Sequence, residues 1–173
     1  MQELKYKQVD DGTFCVSGYE GDEAVVEIPA ALDGVPVTIV GDSVFQGHDE
    51  ITEIRFPEGI TDLGEFVFDG CENLRRLELP AKLERLWGCT FVRCGLEEIR
   101  LPDGVRSIPP YCFKDCKSLQ RVICGAGLRS VHAWAFGGCD KLSALDCGPK
   151  VQIHPMAFSK REGSAAEPTA NEI

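Results

Sequence analysis

The sequence predicts a β-rich α/β solenoid of about six coils, each with short strands and a short helical turn. Three observations support this fold class. A segment of 22 or 23 residues recurs along most of the chain. Each copy opens with the apolar and polar alternation of a strand that buries one face. No single copy can bury its own apolar side, so successive copies must stack on one another.

Phenylalanine marks the period of the repeat. Six phenylalanines follow one another at spacings of 22 or 23 residues: Phe45, Phe68, Phe91, Phe113, Phe136 and Phe158. A spacing that is shared by so many copies is typical of stacked repeat architectures. The sequence therefore predicts one coil for each of these phenylalanines.

One copy, residues 74–95, shows what each part of the repeat does. Its opening letters, LRRLELP, place leucine at the first, fourth and sixth positions with charged residues between them. The proline ends this strand because it cannot donate to a ladder. A second apolar pair, Leu83 and Leu86, predicts a short second strand. Phe91 and Cys94, three residues apart, predict one helical turn that faces inward.

The two ends differ from the repeats. Residues 1–23 are predicted to form a β-hairpin that caps the first coil, since two strand-like runs flank the turn sequence DDG at 10–12. Residues 24–158 form the solenoid, and residues 159–173 are expected to be a disordered polar tail. Because the last coil has no cap of its own, two alternatives are open: self-association through the C-terminal coil, or a native chain that continues beyond this one.

The recurring unit, L-x-x-I-x-L-P-x-x-V-x-x-I-x-x-x-A-F-x-x-C, resembles the BspA-like leucine-rich repeat. The segment IPAALDGVPVTIVGDSVF is similar to the first repeat of that family. The resemblance implies a right-handed leucine-rich-repeat stack that binds a protein or peptide ligand. Members of that family are often secreted or surface proteins of bacteria and some protists, implicated in cell adhesion and protein binding. The family has no shared catalytic motif, so the resemblance implies no enzyme activity, no active-site residues and no cofactor.

The charge and hydropathy of the sequence disfavour two classes of protein, those that bind nucleic acids and those that span membranes. The net charge is −10, and such a surface repels phosphate backbones, which disfavours nucleic-acid binding. No apolar run approaches the roughly 20 residues of a membrane helix, so membrane insertion is not expected. The first residues lack the apolar stretch of a signal peptide. The sequence as written therefore predicts a cytoplasmic protein, whereas the family resemblance implies the cell surface or secretion.

The nine cysteines follow the repeat. Four share one column, three residues after the core phenylalanine: Cys71, Cys94, Cys116 and Cys139. Three more take inward positions of the repeat: Cys112, Cys124 and Cys147. These seven are predicted to be buried thiols that act as small apolar side chains. Cys15 and Cys89 are expected to point outward and to react. A thiol- or zinc-binding protein is the alternative interpretation.

Two surfaces are candidates for ligand binding. The first is an apolar ridge at the sixteenth position of the repeat, two residues before the core phenylalanine: Phe66, Tyr111, Trp134 and Met156. Aromatic residues and methionine are enriched in interface cores, although these side chains could equally pack on one another. The second is the outward face of the first strands: Arg76, Glu98, Arg121 and Ile123. Charges alternate in sign along this face, which predicts ion pairs between coils. A structural spacer within a larger array is the remaining alternative.

Overall fold

The computed structural model describes residues 2–160, and within them fourteen strands wind into a β-solenoid of about six coils. The strands are β1 (Glu3–Gln8), β2 (Phe14–Glu20), β3 (Val25–Glu27), β4 (Ala31–Leu32), β5 (Val35–Val40), β6 (Glu53–Arg55), β7 (Asp62–Leu63), β8 (Arg85–Leu86), β9 (Glu98–Arg100), β10 (Ser107–Ile108), β11 (Arg121–Ile123), β12 (Ser130–Val131), β13 (Ala144–Asp146) and β14 (Gln152–Ile153). The six coils are numbered by their core phenylalanines, from Phe45 in the first coil to Phe158 in the sixth.

Equivalent strands of successive coils pair in parallel. The strands that open the coils, called the first strands, form the pairs β3–β6, β9–β11 and β11–β13. The second strands form the ladders β5–β7–β8 and β10–β12–β14, and β2 of the N-terminal segment extends the first of these ladders. The register follows the repeat, because Arg121 pairs with Glu98 on one side and with Ala144 on the other. The repeat phase read from the sequence is therefore the stacking register of the solenoid.

An antiparallel pair of strands covers the N-terminal end. β1 pairs with β2 in antiparallel orientation, and β2 pairs in parallel with β5 of the first coil. Lys5 and Glu20 form an ion pair on the exposed side of these strands. The residues beyond 160, which include most of the predicted tail, lie outside the described residues.

The core is a ladder of phenylalanine rings along the solenoid axis. The ring centroids of successive core phenylalanines lie 5.7, 5.4, 5.0, 5.3 and 5.6 Å apart from Phe45 to Phe158. Neighbouring rings tilt by only 7–16°. Phe68, Phe91 and Phe113 have no exposed surface. Each coil therefore contributes one ring to a continuous stack that no coil could bury alone.

The helical turn predicted for each coil is a series of hydrogen-bonded turns, and the described residues contain no helix. In the second coil the amide of Cys71 donates to the carbonyl of Phe68 over 3.1 Å. Phe66 (φ 55°) and Gly70 (φ 77°) lie two residues on either side of this phenylalanine, and both adopt left-handed backbone conformations. A right-handed helix cannot continue through such residues.

The third coil is one residue shorter than its neighbours, and its last turn is correspondingly tight. A Cβ atom at Gly95 would lie 1.9 Å from the carbonyl oxygen of Glu72 in the coil before. The amide of Gly95 donates to the carbonyl of Cys71 over 3.0 Å. Glycine is thus required here by a close approach between two backbones.

Candidate binding surfaces

The residues of the apolar ridge pack on one another in a small second cluster. Tyr111 is only 4% exposed, and with the buried Cys89 and Val92 it forms the centre of this cluster. The rings of Tyr111 and Trp134 stack with centroids 5.3 Å apart. Phe66 and Trp134 are half-buried against the centre. Most of the ridge is therefore covered by its own neighbours.

Met156, at the end of the ridge, is different because its side chain is 43% exposed. It lies in the sixth coil, near the exposed Ile153 and Phe158. Large apolar side chains thus come to the surface at the C-terminal end of the array.

The ridge column shares an unusual backbone conformation. Five residues two positions before the core phenylalanine have φ between 55° and 62°: Ser43, Phe66, Cys89, Tyr111 and Trp134. Left-handed conformations cost L-residues roughly 1–2 kcal/mol each. Such a cost persists only where the surrounding structure imposes it. The stacked turns and the aromatic packing provide that constraint here.

The first strands line the second candidate surface, an open groove of about 1140 Å³. Arg76, Glu98 and Arg121 lie along it with their side chains exposed, and half-buried Cys124 lines the same groove. Ile123, the fourth residue predicted for this face, is half-buried between Arg121 and Cys124 in the same coil. The structure thus brings the predicted charged residues of this face onto one continuous surface.

The pattern of ion pairs on this face differs from the prediction. Arg121 pairs with Asp146 of the next coil, with Nη2 and Oδ2 2.6 Å apart, and Arg55 pairs with Glu53 of its own strand. Among the described residues, neither Arg76 nor Glu98 forms an ion pair. Opposite charges are neighbours between coils, as predicted, since Glu98 lies in register beside Arg121. The ion pairs that form on this face nevertheless run diagonally between coils or within one strand.

A break in the sheet lies beside these unpaired charges. Residues 75–79 of the third coil fill the place of a first strand, yet they form no ladder with β6 or β9. In the described part of the chain, their backbone makes one hydrogen bond, from the amide of Glu97 to the carbonyl of Arg75 over 3.0 Å. Backbone N–H and C=O groups in the lining of the groove are therefore left without main-chain partners.

The cysteine column is hydrogen-bonded, and all of its members except the half-buried Cys139 are buried. The thiols of Cys71, Cys116 and Cys139 donate to the carbonyl of the core phenylalanine in the preceding coil, at 3.1, 2.9 and 2.9 Å. Burial raises the pKa of Cys71 and Cys116 well above the ordinary range, and it raises the pKa of Cys94 to about 12. These cysteines fill an apolar position that also offers a carbonyl acceptor.

Two expectations about cysteine exposure are wrong. Cys15 and Cys89 are 2% and 3% exposed, because Cys15 lies in β2 between strands β1 and β5 and Cys89 lies inside the ridge cluster. The prediction of seven buried thiols is wrong for three of them, since Cys124, Cys139 and Cys147 are half-buried. Within residues 2–160, no three side chains of the His, Cys, Asp and Glu types converge as a metal site would require. Nor does this part of the chain contain a helix long and apolar enough to cross a membrane.

Comparison with known proteins places the repeat in a family. The profile described as "BspA type Leucine rich repeat region (6 copies)" matches residues 38–163. The chain belongs to the BspA-type leucine-rich repeat family. No curated protein matches it at a significant level.

Solved structures of bacterial leucine-rich repeat proteins share the fold. The leucine-rich repeat protein TpLRR of T. pallidum is 27% identical, with a TM-score of 0.72 over 87% of this chain and 82% of that one. A leucine-rich repeat protein from Bacteroides ovatus is also 27% identical, with a TM-score of 0.67 over 91% of this chain. The pneumococcal vaccine antigen PcpA is 20% identical, with a TM-score of 0.67 over 94% of this chain. The present chain spans 49% of the Bacteroides ovatus structure and 40% of PcpA.

Proposed function

We propose that this chain is a non-catalytic binding module whose groove along the first strands takes an extended segment of a protein or peptide. The observation that carries the proposal is the group of exposed charges without ion-pair partners around the break in the sheet. Leucine-rich repeats of the BspA type supply the scaffold. The groove supplies the charged side chains and main-chain groups that contact the partner.

The groove offers both charge and main-chain hydrogen bonding. Arg76, Glu78, Glu98 and Arg100 project from it, and within the described residues they form no ion pairs with one another. Charges of both signs favour a partner that also carries both signs. The unpaired backbone of residues 75–79 adds donors and acceptors of the kind that an extended peptide uses. An open groove of this size suits a chain segment better than a small molecule, which prefers an enclosed pocket.

The apolar ridge is the less favourable surface. Its central ring, Tyr111, is almost completely covered, so a partner would contact mainly Trp134 and Met156. Interface hot spots usually combine a large aromatic anchor with a pocket on the partner. The ridge uses its aromatic surface within the protein itself.

The test is selection of a ligand followed by comparison of variants. A random-peptide display library is panned on the wild-type protein, and enriched peptides are synthesised for affinity measurement. We expect the double variant Arg76→Glu with Arg100→Glu to weaken binding at least tenfold. Binding to the wild type should also weaken as salt rises, because exposed charges are screened.

A matched variant controls for net charge. Lys7→Glu with Lys150→Glu makes the same change in total charge at exposed positions outside the groove, and it should bind like the wild type. Equal loss in both double variants would overturn the proposal. So would a selected peptide whose binding is abolished by Trp134→Ala but not by the groove variant, since that result would assign binding to the ridge.

A further inference from the structure

Two cysteines at the C-terminal end of the first-strand sheet lie side by side. The parallel pairing of β11 and β13 matches Ile123 with Asp146, and the amide of Cys124 continues the ladder by donating to the carbonyl of Asp146 over 2.9 Å. Cys124 and Cys147 are therefore the next residues in register. Neighbouring strands are about 4.8 Å apart, which lies within the Cα separation that a disulfide spans.

The backbone turns at Cys147, so the Cys147 thiol does not have to point in the same direction as the side chains of the strand. Side chains at equivalent positions of a parallel ladder point the same way, which opposes a disulfide between them. Strand β13 ends at Asp146, however, and the amide of Cys147 turns back to the carbonyl of Leu145 over 3.1 Å. This tight turn releases Cys147 from the ladder, so its thiol can turn toward Cys124.

These two thiols are also the ones that interact with each other while remaining open to reagents. Both are half-buried, and Cys124 lines the groove. Burial, together with the charge and the hydrogen bond of the Cys147 thiol, raises the pKa of Cys124 to about 12. The column cysteines Cys71 and Cys116 are instead fully buried, and their thiols donate to backbone carbonyls.

We propose that Cys124 and Cys147 form a reversible disulfide that ties the fifth coil to the sixth. The oxidant is a low-molecular-mass disulfide such as oxidised glutathione. The Cys147 thiolate attacks this disulfide, forms a mixed disulfide and releases one glutathione thiolate. The Cys124 sulfur then attacks the Cys147 sulfur and releases the second. The two protein thiols are oxidised, one glutathione disulfide is reduced to two thiols, and the two protons pass to the released thiolates.

The experiment is peptide mapping of the folded protein after incubation with oxidised glutathione. Trypsin places the two cysteines in separate peptides, 122–129 and 142–150, each of which contains a single cysteine. We expect these two peptides to become cross-linked, with the loss of two hydrogens from the intact mass. Dithiothreitol should reverse both changes. Amide exchange in β13 should slow in the oxidised form, because the cross-link restrains the last coils.

A second pair of thiols provides an internal control. Cys116 and Cys139 also interact across neighbouring coils, but Cys116 has no exposed surface. Their tryptic peptides, 115–117 and 130–141, should stay unlinked. Cross-linking of that pair instead, or glutathione attached separately to Cys124 and to Cys147 without a cross-link, would overturn the proposal. The separate variants Cys124→Ala and Cys147→Ala should each abolish the cross-link while retaining the circular dichroism of the wild type.

Discussion

Asp69 is a carboxylate with only 2% of its side chain exposed, held between two neighbouring coils. The side-chain Nε2 of Gln46 donates to Oδ2 of Asp69 over 2.9 Å, and Nη2 of Arg93 lies 2.7 Å from the same carboxylate. Arg93 has a left-handed backbone (φ 50°) at a column where other coils have Gly47, Gly70 and Gly138. Arg93 stands where these coils have glycine, and it forms an ion pair with a buried carboxylate.

We therefore expect Arg93→Ala to lower the free energy of unfolding by about 2 kcal/mol. Removing one partner of a buried pair costs about 3–5 kcal/mol, and the half-exposed guanidinium reduces that figure through solvent screening. Arg76→Ala is the matched control, because Arg76 is exposed and lacks an ion pair. It should change stability by less than about 0.5 kcal/mol. Denaturant unfolding of both variants measures the difference, and equal effects would show that the Asp69 pair contributes nothing specific.

The structure differs most from the sequence-based prediction in the turn of each coil. Tyr111 and Met156 occupy the same repeat position, yet Tyr111 is 4% exposed and Met156 is 43% exposed. Truncation of a buried aromatic ring costs roughly 3–5 kcal/mol, whereas an exposed side chain contributes little. We expect Tyr111→Ala to lower the melting temperature strongly and Met156→Ala to leave it nearly unchanged. Thermal unfolding followed by circular dichroism provides the measurement. A Tyr111→Ala variant as stable as the wild type would mean that the ridge cluster is not a second core.

The strands and the core could be predicted from the sequence because both depend on hydrophobic periodicity. The core phenylalanines and the leucines of LRRLELP recur at fixed spacing, and the period alone sets the parallel register that joins Glu98 to Arg121. Backbone handedness has no such signature. Tyr111 and Cys89 lie in left-handed conformations that polar or apolar character does not reveal, so the sequence could not decide between an exposed ridge and one whose side chains pack on one another.

The sequence pattern also could not predict which ion pairs form and which thiols are accessible. Column order predicted that Arg76 would pair with Glu98, whereas Arg121 reaches diagonally to Asp146. The choice between such partners depends on rotamers and on the break at 75–79, and neither is encoded in the period. Cys124 was predicted to be inward, yet it is half-buried and lines the groove of the first strands.

In the whole molecule, stacking places equivalent residues of the internal coils in similar buried environments. A small effect on stability at one position is therefore repeated in several coils. Cys71, Cys94, Cys112 and Cys116 are buried thiols whose pKa values all rise chiefly because burial disfavours the thiolate. In the unfolded chain the same thiols would ionise near their ordinary pKa of 9.0. Between that value and the raised folded pKa, the native state binds more protons than the unfolded state. Stability is therefore complete below about pH 9 and declines as the pH rises above it.

We predict that the free energy of unfolding falls by about 1.4 kcal/mol for each of these thiols between about pH 8 and about pH 10. Cys112→Ala tests the cause, since Ala135 and Ala157 occupy the same repeat position in later coils and are fully buried there. The variant should lose about 1.4 kcal/mol less than the wild type over this range, whatever its stability at the lower pH. Guanidinium chloride unfolding at both pH values measures the two losses. Tyr6 and Lys5 also have raised pKa values and contribute to the alkaline decline, but their contributions cancel in the comparison. Parallel declines in the two proteins would show that ionisation of Cys112 in the unfolded chain does not drive the loss.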